Sequence, residues 1–174
     1  MNKIIYYYQT FIGLNYLEQN NYNNVSHINV SSIHFGKNED GSNYIHLNNE
    51  IPDSNQFDSL WKEIENASQY CKIYLMVGGA GGAYQELFSD FENYYELLYN
   101  LIKSKSYITG IDLDIEEEVQ LKDIQMLIRR IKQDFGTDFE ISMAPVVSSL
   151  TSDTPGMGGF VYKDLYESDE GKMI

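Results

Sequence analysis

Apolar and polar positions alternate along the chain in two rhythms, one strand-like and one helix-like. Residues 4–11, Ile-Ile-Tyr-Tyr-Tyr-Gln-Thr-Phe, are β-rich and predict a first strand. Residues 15–23 are polar and Asn-rich, with room for a short helix. Residues 27–35, His-Ile-Asn-Val-Ser-Ser-Ile-His-Phe, predict a second strand. The stretch 37–55 reads as loop, because Gly41, Pro52 and many Asn and Ser residues interrupt it. Over 56–70, Phe57, Leu60, Trp61 and Ile64 fall on one helical face. A third strand over 72–77 runs into Gly78-Gly79-Ala80-Gly81-Gly82. One helix is predicted over 85–104, with Leu87, Phe91, Tyr94, Tyr95, Leu98 and Ile102 as its apolar stripe. A fourth strand covers 108–115, and a helix over 121–135 presents Ile124, Leu127, Ile128 and Ile131. A fifth strand over 139–144 is closed by Pro145. Residues 148–174 are rich in Gly and Ser and offer only 162–166 as a further regular element.

Repeated alternation of strand and helix argues for parallel strands with helices outside them. Near-continuous apolar strands fit burial on both faces. A closed (β/α)8 barrel and an open doubly wound sheet both satisfy this pattern, and periodicity does not separate them. A full eight-stranded barrel takes about 250 residues, whereas this chain has 174. No internal repeat or composition break marks a second domain, so residues 1–174 read as one domain.

Charge narrows the partners. The net charge of −14 repels phosphate backbones and anionic lipids, which disfavours nucleic acid and membrane and favours a neutral or cationic substrate. No run approaches the ~20 apolar residues of a membrane span, and residues 1–9 lack a secretion-signal pattern. The expectation is a soluble protein, cytoplasmic or released. The 15 tyrosines suit both core packing and stacking on sugars. A lone cysteine, Cys71, forms no internal disulfide and reads as a small buried residue beside the third strand.

The chemistry gathers on the fourth strand, Thr109-Gly110-Ile111-Asp112-Leu113-Asp114-Ile115-Glu116. Alternate strand residues share a face, so Asp112, Asp114 and Glu116 line one side and Ile111, Leu113 and Ile115 the other. Three carboxylates on a core strand are costly unless they share protons or bind something. Close carboxylates raise one another's pKa, which keeps one protonated near neutral pH. Glu116, nearest the C-terminal end of the strand, is placed to meet substrate and to act as general acid. Two other readings stay open on the residues alone. The acids are solvated at a strand end, as Glu117 and Glu118 continuing the run would suit, or they hold a divalent cation.

Gly110-Ile-Asp-Leu-Asp-Ile-Glu116 resembles the signature of glycoside hydrolase family 18, the chitinases and related endo-β-N-acetylglucosaminidases. Leu75-Met-Val-Gly-Gly-Ala-Gly-Gly82 and Ser142-Met-Ala-Pro145 resemble that family's third and fifth strand ends, in the same order. The resemblance implies a TIM barrel of which this chain holds about the first five β/α units. It implies a retaining hydrolase of β-1,4-linked N-acetylglucosamine in which the substrate's own acetamido group is the nucleophile. Glu116 would protonate the leaving oxygen, Asp114 would orient the acetamido group, and Asp112 would share a proton with Asp114. Tyr7, Gly79 and Met143 would contact or approach the sugar, although whether Tyr7 or the pair Tyr6 and Tyr8 points inward stays open. Neither metal nor organic cofactor is implied. Thr109 replaces the motif's first Asp, and Met76 stands where the family carries a Ser that supports the acidic network. The family's Tyr of the sixth strand and Trp of the eighth are absent. The chain would then be a fragment, be completed by a second chain, or fold as an open sheet. A lectin-like glycan-binding module on the same scaffold is the non-catalytic alternative.

Overall fold

The structure is a computed structural model that describes residues 4–174. Strands β1 (Ile4–Tyr8), β2 (Val25–Lys37), β4 (Lys72–Gly78), β5 (Ile108–Asp114) and β6 (Glu140–Met143) lie side by side in that order. Every neighbouring pair among them is parallel. The remaining strand, β3 (Asn43–Leu47), folds back antiparallel on β2. The arc is a partial TIM barrel. Its parallel strands alternate with helices α1 (Asn15–Gln19), α2 (Asp58–Ala67), α3 (Tyr84–Ser89), α4 (Phe91–Ser104) and α5 (Leu121–Phe135). Helices α6 (Val147–Thr151) and α7 (Tyr162–Glu167) follow β6.

Two expectations need correction. The stretch 37–55 is not all loop, because its Asn and Ser content hid the alternation Asn-Tyr-Ile-His-Leu that builds β3. A tight turn makes the hairpin possible: Asn38 N–H donates to the Ser42 carbonyl at 2.8 Å, and Gly41 takes a φ of +84°. The helix expected over 85–104 is two helices, α3 and α4. The chain breaks at Asp90, with φ −150° and ψ 63°. Its carboxylate is taken up by Asn93 at 2.9 Å and by Asn43 of β3 at 2.8 Å, a non-local contact that no helical period reveals.

Strand parity divides the side chains cleanly. Ile28, Val30, Ile73, Leu75, Val77, Ile111, Leu113 and Ile141 are buried on the helix side. They meet Leu60 and Ile64 of α2, Tyr94, Leu98 and Ile102 of α4, and Ile124, Leu127, Ile128 and Ile131 of α5, all in one apolar cluster. Each such side chain contributes about 1.5–3 kcal/mol on burial. Helix α5 ends at Gly136, whose φ of +88° lets its N–H reach the Lys132 carbonyl at 3.0 Å.

The inner side of the arc is polar. At the N-terminal end of the strands, Glu140 on β6 accepts hydrogen bonds from Lys72 and Tyr74 on β4, crossing over β5. The crossing passes over Gly110, where an added Cβ would stand 2.4 Å from the Tyr74 ring and 2.7 Å from the Glu140 carbonyl. His27 of β2 closes the group, its Nε2 3.6 Å from Glu140.

Candidate active site

The C-terminal end of β5 carries the acids. Asp112 is almost fully buried, at 1% exposure, while Asp114 is half-buried and Glu116 is exposed just past the strand. Burial on the inner face is tolerable for Asp112 because two neighbouring strands supply donors. Tyr7 of β1 donates a hydrogen bond from its hydroxyl to Oδ2 at 3.1 Å, and Ser142 of β6 donates to Oδ1. Tyr7 therefore points inward, which answers the question of strand parity left open by the sequence. Tyr8 faces outward, and its hydroxyl donates to Glu63 at 2.9 Å.

Asp114 stands against the glycine loop. Its carbonyl accepts the Gly79 N–H at 2.8 Å. A Cβ on Gly79 would lie 3.2 Å from the Asp114 carboxylate and 2.8 Å from the end of Met76. Glycine, at a φ of +81° here, leaves that carboxylate a clear approach. The loop is fastened from the other side by Glu117, whose Oε1 accepts the backbone N–H groups of Ala83 and Tyr84. Glu117 is thus not the solvated loop acid that its place in the run implied.

Burial, then the charge on Glu116, then that on Asp112 push the Asp114 carboxyl up to about 6. Burial also raises Asp112, against the opposing hydrogen bonds of Ser142 and Tyr7. Burial, followed by the Asp112 charge, holds the Tyr7 phenol up at about 12.

These shifts predict the pH dependence of stability. Asp114 has an ordinary value of 3.8, so its folded value is raised, and the folded chain loses stability as pH climbs from about 4 through about 6. Glu140 behaves oppositely. Burial opposes ionisation there, but Lys72, Tyr74 and His27 together hold it at about 2 against an ordinary 4.5. Its contribution is complete above 4.5 and is lost as pH falls towards 2. The thermal midpoint is therefore expected to peak between pH 4 and 5.5 (roughly) and to decline towards pH 7. The high-pH decline should flatten in Asp114→Asn. Calorimetric scans across pH test this, and a midpoint that rises steadily to pH 7 would contradict it.

Of the residues singled out from the sequence, Asp112, Asp114, Tyr7 and Gly79 are brought together, with Glu116 at the same strand end. Met143 is not among them. It is the register partner of Leu113. Since Ser142 reaches Asp112 on the inner face, Met143 turns to the helix side, where it lines an apolar hollow with Leu150, Tyr162 and Leu165. Sequence reasoning missed Ser142 as a partner of Asp112. It also missed Asn29, a lone amide among apolar neighbours on β2, and Tyr162, whose phenol feels the Asp114 charge. A small cavity of about 40 Å³ lies between Glu116, Pro145 and Tyr162.

No protein-family model matches the chain, and no curated protein matches it at a significant level. Solved structures do. A chitinase, ChiC, from Aspergillus fumigatus superposes with a TM-score of 0.88 at 32% identity, over 100% of this chain and 64% of that one. A fungal endo-β-N-acetylglucosaminidase from glycosyl hydrolase family 18 superposes with a TM-score of 0.87 at 33% identity, with the same coverage of 100% and 64%. The chain thus spans a little under two thirds of the length of these structures.

Proposed function

This chain is glycoside hydrolase family 18-like over its whole length, and from that premise we propose that it cleaves β-1,4-linked N-acetylglucosamine by substrate-assisted catalysis with retention. The observation that supports this most is the Asp114 carboxyl, raised to about 6 between a buried Asp112 and an exposed Glu116.

Each acid then has a distinct task. Glu116, at the solvent end, gives its proton to the glycosidic oxygen as the C1–O bond breaks. The substrate's acetamido oxygen forms a bond to C1 in the same step, giving a cyclic cation whose nitrogen carries positive charge. Asp114 accepts a hydrogen bond from the acetamido N–H and balances that charge. Asp112, held by Tyr7 and Ser142, takes or returns the proton that the aspartate pair shares. Water then attacks C1, Glu116 takes back a proton, and the ring opens with the original anomeric configuration. The neighbours' printed activities, chitinase and endo-β-N-acetylglucosaminidase, favour chitin, chitooligosaccharides or an N-glycan core as substrate.

The test is hydrolysis of a fluorogenic N,N′-diacetylchitobiose substrate by the purified chain, with the product anomer read by proton NMR. Turnover giving the β-anomer first is the expected result. An α-anomer would overturn the acetamido mechanism. Affinity for chitooligosaccharides without turnover would replace the hydrolase by a glycan-binding module.

A further inference from the structure

Asn29 is fully buried on β2, and neither its amide nitrogen nor its amide oxygen has a hydrogen-bond partner among the described residues. An orphaned buried amide forfeits its hydration with nothing in return, and native interiors rarely keep one without a reason. Register places Asn29 between Tyr7 of β1 and Tyr74 of β4, facing the interior of the arc. Its nearness favours the ionised forms of both Asp112 and Tyr7.

Asp112 is short of donors in turn. An ionised carboxylate offers about four acceptor positions, and Tyr7 and Ser142 fill two of them. Its register neighbour on β4 is Met76, whose thioether has no proton to give. An unsatisfied donor and an undersupplied acceptor thus share the inner face with almost no exposure to solvent, where an unmade hydrogen bond is most costly.

We propose that Asn29 is a positioning residue for Asp112: its Nδ2–H donates to the Asp112 carboxylate, directly or through one buried water, and so decides which of Asp112 and Asp114 carries their shared proton. The proposal rests on the reading of that pair as catalytic, but its test does not require turnover. The other titratable groups facing Asp112 are Tyr7 from β1, Tyr74 from β4, Tyr84 from α3 and Asp114 on its own strand. All three phenols are held above their ordinary 10.0. They stay neutral near pH 7, so the groups that bias the pair are the Glu116 charge, which acts on Asp114, and the Asn29 amide, which acts on Asp112.

The measurement is a carbon-13 NMR titration of the aspartate carboxyls in the wild-type chain and in Asn29→Leu, with the Asn29 side-chain amide followed by nitrogen-15 in the wild type. Loss of the donor is expected to raise the Asp112 midpoint by about one unit and to lower that of Asp114, because the two titrate as a pair. The wild-type amide signal should move with the midpoint of the pair. Carboxyl titrations unchanged in Asn29→Leu, or an amide signal indifferent to them, would overturn the proposal. Should Asn29→Leu not fold, the wild-type amide titration decides alone. A chain without hydrolytic activity whose Asp112 still follows Asn29 would sink the catalytic reading and leave the contact standing.

Discussion

Glu116→Gln is expected to lower turnover of a chitobiose substrate by about a hundred- to ten-thousand-fold, the usual worth of a positioned general acid. Stability should hardly change, because Glu116 is exposed and lies beyond the hydrogen-bonded part of β5. An exposed substitution of equal shape typically shifts stability by less than about 0.5 kcal/mol. Binding should also persist, since the amide keeps the carboxylate's size and loses only the proton to be transferred. The check is kcat, chitooligosaccharide affinity and thermal midpoint on one preparation. A fall in kcat alone assigns the proton transfer to Glu116. Full activity in the variant would falsify that assignment, and a collapsed midpoint would show Glu116 to be structural.

Gly78→Ala is expected to give the largest loss of stability. Gly78 closes β4 with a φ of +93°, a region that costs a residue with a Cβ about 1–2 kcal/mol. An added Cβ would also stand 2.4 Å from the Asp114 carbonyl and 2.7 Å from the Tyr84 ring. The carbonyl is backbone, already held by the Gly79 N–H, and Tyr84 is fixed by its hydroxyl's hydrogen bond to the Val77 carbonyl at 2.8 Å. Neither neighbour yields cheaply, and such overpacking adds about 1–3 kcal/mol. A total near 3 kcal/mol is therefore expected in the urea midpoint. Gly41→Ala is the control: its φ is +84°, but nothing lies within 4 Å of the added Cβ. It should lose only the backbone part. Equal losses at the two positions would show that crowding against Asp114 contributes nothing. Because the displaced carbonyl belongs to Asp114, turnover in Gly78→Ala should fall further than its stability alone explains.

Much of this architecture is legible in the chain itself. A side-chain period of two separates Asp112, Asp114 and Glu116 from Ile111, Leu113 and Ile115 whatever the neighbouring strands do. A helical period likewise fixes which face of α5 is buried, and Ile124, Leu127, Ile128 and Ile131 all lie there at 0% exposure. Alternation of these periods is enough to predict parallel strands with helices outside them and to place the acids at one strand end. These are properties of local geometry, set by residues a few positions apart.

The remainder depends on contacts between segments distant in sequence. Tyr7 and Asp112 are 105 residues apart, and only the lateral register of β1, β2, β4 and β5 puts one hydroxyl on the other's carboxylate. The same register turns Ser142 towards Asp112 and Met143 away from it, and sets Asn29 opposite Tyr7 on the inner face. Contacts beyond any local period likewise pair β3 with β2 and tie Asn43 to the helix break at Asp90. The sequence determined which residues share a face. Which faces meet was decided by how the strands align, since hydrogen-bond register between strands is fixed by the packing of the whole sheet and leaves no periodic trace in any one of them.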